Sequence, residues 1–362
     1  MSCNWCDTRL VQLFMTKPSR HSLQNIATSL QTAVDHSSAT NGNYENVEVF
    51  ALRREEDGDG VAGLQTELLN LFSRVYGYNC EAYVIPTGTM LGHRDVRMKM
   101  DDWSCPRAKK NTLRIFVYTG ISSSKGPSHP DFDIEFREIS TLSPYNPRHV
   151  FLSAYNGGDS LCLVDFWERR PVSNEVGPEV IAACALEQKA KPDSEFGLTC
   201  LLLDTLKAND GAPITAATLY ARLFRIASQS QVQTYLMHAP KWNRPSITLK
   251  PLNRTDLRPC SLSSERVLFS VEVEDNVNER NVKAWEEQLL RSIPNDVLNV
   301  DIKVERAFQS NGIFATLLIT APLEVWTMLP DDPAYKFLSH VTSNNESSAI
   351  RALPYRQRAD IG

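Results

Sequence analysis

Nucleophilic catalysis through a thiol needs a cysteine, an imidazole within reach of it and donors for the oxyanion. The 362-residue chain holds eight cysteines and seven histidines that could supply the first two. The place to look is the stretch LRIFVYTGISSSKG, Leu113 to Gly126, where an apolar strand runs out into a loop of glycine, serine and lysine. A strand that delivers a loop at its carboxyl end is where α/β proteins put their chemistry. This loop carries no acid, no base and no thiol. Its serines Ser122, Ser123 and Ser124 lack the G-x-S-x-G spacing of a nucleophile elbow and read as a solvated loop. No cysteine lies between Cys105 and Cys162, and no histidine between His93 and His129. His129, set between serine and proline, reads as an exposed loop residue, and His149 precedes the apolar run VFLSAY rather than following it. Cys184 is embedded in EVIAACALE, where an inert buried thiol is expected. Cys162 is the fallback nucleophile, but Leu161, Leu163, Val164 and Phe166 around it argue for a strand or core contact, and no histidine is in evidence to serve it.

Other chemistries have less to draw on. Cys3 and Cys6 form one CxxC without the second pair that a structural zinc needs, so no metal is expected. The acidic group Glu55, Glu56, Asp57 and Asp59 lacks the ligand pattern of a calcium loop and reads as a solvated turn leading into a helix. No GxxxxGK followed by Ser or Thr occurs, and no cofactor is expected. The net charge of -5 comes from 43 acidic against 38 basic residues that are spread along the chain, which calls for neither nucleic acid nor an anionic membrane surface. No apolar run is long enough to cross a bilayer, and MSCNWCDTRL lacks the pattern of a signal peptide. A cytoplasmic protein with reduced thiols is the expectation.

The pattern of the chain places these residues on elements. Residues 1–45 read as a helical or flexible appendage, with a helix from about Ser19 to Val34. Residues 46–252 alternate strands and helices: VEVFAL, EAYVIP, LRIFVYTG, HVFLSAY and EVIAACALE as strands, then GLTCLLLDTLKAN and ITAATLYARLFRIAS as helices, closing with SITLKPL. Between the first two strands an amphipathic helix puts Val61, Leu64, Leu68, Leu71, Phe72 and Val75 on one face, with Gly77 as its C-cap. Strands apolar at nearly every position are buried on both faces, which predicts a mostly parallel sheet in a three-layer α/β/α sandwich. Residues 253–265 form a polar connector. Residues 266–342 follow the order strand, helix, strand, strand, helix, strand of a ferredoxin-like α+β unit, and 343–362 read as a flexible tail.

These pieces together resemble the caspase-like domain proteins of filamentous fungi, distant relatives of metacaspases, with their C-terminal extension. The likeness spans about residues 47–342, through GLQTELLNLFSRVYGYNCEAYVIP, EVIAACALE, ITLKPL and VWTMLPDDPAYKFLSHVTS. The resemblance implies two loops at the carboxyl ends of adjacent strands, one ending in a Tyr-Ala-Gly-His-Gly type motif that supplies the base and the other in an Asp-x-Cys type motif that supplies the thiol. The first motif corresponds to VYTGIS, with Gly120 kept, Ile121 at the histidine position and Ser122 at the following glycine. The second is matched to VFLSAYNGG, with Ser153 for aspartate, Ala154 between and Tyr155 for cysteine. A tyrosine hydroxyl of pKa about 10 is only about 0.1% ionised near neutral pH. Losing a nucleophile or base costs a hydrolase on the order of a million-fold in turnover.

The resemblance therefore implies a catalytically inactive caspase-like pseudoenzyme that acts through protein partners as regulator, decoy or scaffold, as a homo- or hetero-oligomer. The alternative is an active cysteine endopeptidase with a relocated dyad.

Overall fold

The computed structural model describes residues 21–38, 44–86, 98–99, 102–103, 111–120, 159–165, 178–184, 197–229, 235–240, 243–253, 261–274, 277, 279–293, 297–298, 300–309 and 314–341. Six strands form the first sheet: β1 (Asn46–Arg54), β2 (Asn79–Ile85), β3 (Thr112–Tyr118), β4 (Asp159–Val164), β5 (Glu179–Cys184) and β7 (Tyr235–Ala239), in the order β2-β1-β3-β4-β5-β7. All neighbours pair in parallel except β5 with β7. Helices α2 (Gly58–Leu71), α3 (Leu198–Ala208) and α4 (Ala216–Gln229) flank the sheet, and a two-residue ladder joins β6 (Ile214–Thr215) to β8 (Thr248–Leu249). This is the mostly parallel α/β architecture that the apolar strands predict.

Burial on both faces explains the parallel arrangement. Every residue of β3 is buried. Val47, Val49, Leu113, Ile115, Val117, Leu161 and Leu163 enter the main core with the apolar faces of the helices, while Phe50, Leu52, Phe116, Tyr118, Cys162 and Val164 form a second cluster on the opposite face. Trp103 packs on Phe50 there, with ring centroids 5.6 Å apart. The fourth strand differs from the sequence reading. The strand paired with β3 is DSLCLV, while HVFLSAY lies outside the described residues. Strand β7 is absent from that reading, although its run Tyr235, Leu236 and Met237, closed by Pro240, carries the signal of a short strand.

The helix before β2 also departs in one detail. After α2 the chain widens into a π turn over Phe72–Tyr76, ended by Gly77 in the left-handed region at φ 73°. The wider turn changes the angular step. Val75 consequently faces out at 42% exposure, and Tyr76 takes the core position beside Phe72.

The second sheet is antiparallel, in the order β10-β11-β9-β12, from β9 (Arg266–Val273), β10 (Lys303–Gln309), β11 (Ala315–Pro322) and β12 (Tyr335–Val341). With α5 (Glu279–Ser292) after β9 and α6 (Leu323–Met328) after β11, it is the expected ferredoxin-like unit. Val267, Phe269, Val271 and Val273 alternate into the core at 0% exposure.

The two sheets share one continuous apolar core, and α1 (Leu23–Ser38) is built into it. Rather than an appendage, this helix lies against α6, α5 and α4, with Ile26, Leu30 and Val34 at 0% exposure. Polar ties fix its ends. The Trp285 indole donates to Leu23 O at 2.7 Å, Thr215 Oγ1 donates to Ser37 O at 2.8 Å, and Ser246 N donates to His36 O at 2.9 Å. Ahead of it His21 bridges to Val273, and its imidazole lies 2.9 Å from Asp332 and stacks on Tyr335.

At the amino edge of the first sheet Glu179 is fully buried and accepts from Ser246 Oγ at 2.6 Å and Ile247 N at 2.6 Å, with His238 Nε2 2.8 Å away. One carboxylate thus joins β5, β7 and the approach to β8. Removing one partner of such a buried set strands the others without solvent. We expect Glu179→Ala to lower the unfolding free energy by about 3–5 kcal/mol, read as a fall in the urea midpoint; an unchanged midpoint refutes the role. Leu30→Ala should cost about 2–5 kcal/mol, whereas a loss below about 0.5 kcal/mol, typical of surface positions, would mean that α1 is an appendage after all.

Candidate functional site

The carboxyl edge of a parallel sheet is where strand ends and following loops converge. Here β1, β3 and β4 end side by side, and the ladder continues past them: Thr119 N donates to Leu52 O at 3.0 Å and Asp165 N donates to Tyr118 O at 3.0 Å. The groups brought together are Asp57 after β1, Thr119 and Gly120 after β3, Asp165 after β4, and Thr199 in the first turn of α3.

Asp165 is the centre of the cluster. Its carboxylate accepts from Thr199 N at 2.8 Å and Thr199 Oγ1 at 2.7 Å, and also from the Gly120 amide. Helix α3 begins at the N-cap Gly197, which has no side chain with which to cap. The free amides of its first turn therefore take their acceptor from the neighbouring strand. A negative group at a helix N-terminus is also favoured by the macrodipole. Burial pushes the Asp165 carboxyl up to about 6 and the charge of Asp57 adds to this, against the Thr199 and Gly120 donors, which pull it down.

Asp57 corrects the reading of the acidic turn. Glu55 and Asp59 are exposed, as a solvated turn requires, but Asp57 is buried at 7% exposure and its Oδ2 accepts from Arg54 N at 2.7 Å. It also crowds Gly120. A Cβ on Gly120 would stand 2.6 Å from Asp57 Oδ2 and 3.2 Å from the Tyr118 hydroxyl, so only glycine lets the strand end pass this carboxylate.

Of the residues singled out in the sequence, Gly120 is at this edge and Cys162 is not. Cys162 sits inside β4 opposite Phe116, buried at 2% exposure in the second apolar cluster, and burial pushes its thiol far above the usual range. A thiol held protonated is a poor nucleophile. Ile121, Ser122, Ser153, Ala154 and Tyr155 lie outside the described residues. The strand paired with β3 starts at Asp159, and Ser153 to Tyr155 come before it in the chain. The residues that follow β4 are Asp165, Phe166 and Trp167. Asp165 and Thr199 escape notice in the sequence, although an aspartate directly after the apolar run SLCLV was the available signal. Among the described residues no group of three or more His, Cys, Asp or Glu is placed to hold a metal ion. The arrangement can bind backbone amides and hold negative charge; its hydroxyls Thr119 and Thr199 lie 3.4 Å apart, beside the Asp165 carboxyl.

No protein-family model matches the sequence, and no curated protein matches it. Among solved structures the chain is similar to the crystal structure of drICE, at 14% sequence identity and a TM-score of 0.35, over 56% of this chain and 92% of that chain. Among the described residues no helix is long and apolar enough to cross a membrane.

The linkage of Asp165 has a definite sign. Its folded value lies above its ordinary 3.8, so the stability it contributes is full below about 3.8 and is lost as pH rises toward about 6. Asp165→Asn, which keeps an acceptor for the Thr199 amide, should flatten this part of the stability profile, read by chemical denaturation at stepped pH. A variant with the wild-type slope between these limits would show that the carboxyl is not the group that titrates.

Proposed function

We propose that the chain is a caspase-like pseudoenzyme that acts by binding protein partners rather than by cleaving them. The observation that carries this reading is the parallel pairing of β3 with β4, Tyr118 opposite Val164. It sets Thr119 and Gly120 beside Asp165 at the carboxyl edge, and in the sequence Ile121-Ser122 follow the first of these exits and Phe166-Trp167 the second. Against the two motifs of the family resembled, the first exit keeps glycine but has Ile121 for the histidine. The second keeps aspartate, as Asp165, but has Trp167 for the cysteine. In this match the thiol is replaced by an indole, whose N–H does not ionise near neutral pH and whose nitrogen lone pair is delocalised into the ring, so it cannot attack a carbonyl.

The aspartate that remains supports the same reading. Its oxygens are engaged by the amide and hydroxyl of Thr199 and by the Gly120 amide, so it serves as a cap for α3 and a tie between strands. A motif that retains its structural member and lacks its reactive one is what a fold kept for its surface would show. The partner class is protein, and the ferredoxin-like unit fused through α1 offers a second surface beside the first.

The test is a fluorogenic peptide panel with acidic and basic residues before the scissile bond, together with a thiol-alkylating activity probe. No turnover and no cysteine-dependent labelling are expected, in line with a loss on the order of a million-fold when nucleophile or base is missing. Turnover that disappears with a single change such as Cys162→Ser would establish the cysteine endopeptidase with a relocated dyad in its place.

A further inference from the structure

The seam between the two sheets contains two titratable side chains whose surroundings favour the uncharged form. Glu324, in the first turn of α6, is at 0% exposure. Its Oε1 accepts from Ser263 N in the connector at 2.6 Å, and its Oε2 has no donor among the described residues. A carboxylate with one oxygen buried and unmatched is disfavoured more strongly than a neutral carboxylic acid in the same place. His340, on β12, is stacked on Phe224 of α4 at 4.2 Å between ring centroids and meets Phe337 edge-on at 5.0 Å. His340 is half-buried, and the part of its ring enclosed against Phe224 and Phe337 is cut off from the water that its charged form needs.

The charged groups around these two sites do not cancel that preference. Helix α6 packs on α1, α4, β9 and β11. The titratable residues those elements carry are Asp35 and His36, Tyr220, Arg222 and Arg225, and Arg266 and Glu272. Arg222 is the one whose charge acts on Glu324, and it is held at 2.7 Å by Asn209 Oδ1. Arg225 acts on Glu265 of the connector, and Arg266 pairs with Asp301. His340 is shifted by burial alone.

We propose that the seam between the α/β sandwich and the C-terminal sheet is a proton-responsive joint with two opposed elements: ionisation of Glu324 loosens it from one side of the pH scale and protonation of His340 from the other. The signs follow from the two environments. Burial pushes the Glu324 carboxyl from its ordinary 4.5 up to about 7, against the Ser263 amide, its own backbone amide, the Ser263 hydroxyl and the charge of Arg222, so its contribution is full below about 4.5 and lost as pH rises to about 7. Burial lowers the His340 imidazole from its ordinary 6.5 to about 4, so its contribution is full above about 6.5 and lost as pH falls to about 4. Between about 5 and 6.5 the two slopes oppose each other, and the joint of the wild-type chain holds its tightness because they do.

Amide hydrogen exchange of Leu323–Met328 and Ser263 in the full chain, corrected for intrinsic exchange chemistry, reads the joint directly. In His340→Phe, which keeps a ring in the stack, the opening equilibrium should rise with pH by up to about tenfold per unit between about 5 and 6.5. In Glu324→Gln it should fall with pH by up to the same factor, and in the wild type it should stay nearly level. Either variant keeping the wild-type slope overturns the proposal. Should a variant fail to fold, infrared spectroscopy of the wild-type chain with isotope-labelled glutamate, which leaves the Asp165 carboxyl out of the shifted band, decides: a buried protonated glutamate band at pH of about 6 that disappears by pH of about 8 supports the joint, and its absence at pH of about 6 overturns it.

Discussion

The constraint on which the reading of this protein depends is the parallel pairing of two strands that are buried on both faces. Because β3 and β4 each send side chains into separate apolar clusters, neither can slip by one residue without exchanging its two faces. Their register is therefore held by packing as well as by the ladder. Once Tyr118 stands opposite Val164, Gly120 and Asp165 must emerge together at the carboxyl edge. Which residues share the crevice is thus a consequence of apolar contacts well below it.

Buried carboxylates recur as acceptors for backbone amides in this chain, and each is placed where two or more elements meet. Asp165 caps α3 from β4, Glu179 holds Ile247 N from β5, and Glu324 holds Ser263 N from α6. A carboxylate can satisfy amides that a loop or helix start leaves without partners, which makes it useful at junctions. The desolvation it suffers there is the reason Asp165 and Glu324 resist ionisation. A residue type that suggests acid chemistry is employed at all three places in backbone satisfaction.

The C-terminal ferredoxin-like sheet is joined to the sandwich through an apolar core, not by a tether alone. Helix α1 fills the space between α4, α5 and α6, so chain that precedes the first sheet completes the packing of the second. Any partner that grips one unit acts on the other through this contact. For a protein proposed to work by binding, two surfaces joined by a shared core are held in one relative orientation, which reduces the entropic loss at each encounter.

Local pattern by itself determined much of the fold. The unbroken apolar runs of LRIFVY and EVIAAC announce doubly buried parallel strands, the alternation of Val267, Phe269, Val271 and Val273 announces a one-sided sheet, and Gly77 announces a helix end, because burial and backbone geometry act residue by residue. Tertiary structure alone decided which strand neighbours β3. HVFLSAY and DSLCLV are both plausible strands in the sequence, and only pairing and core contacts distinguish them. It also decided that Asp57 is enclosed while Glu55 and Asp59 are exposed, since identical charges two residues apart differ only in what the chain later brings against them. The same holds for α1, whose apolar stripe is visible in the sequence but whose partners lie about 200 residues or more further along the chain. Periodicity states that a face must be buried; it does not state against what.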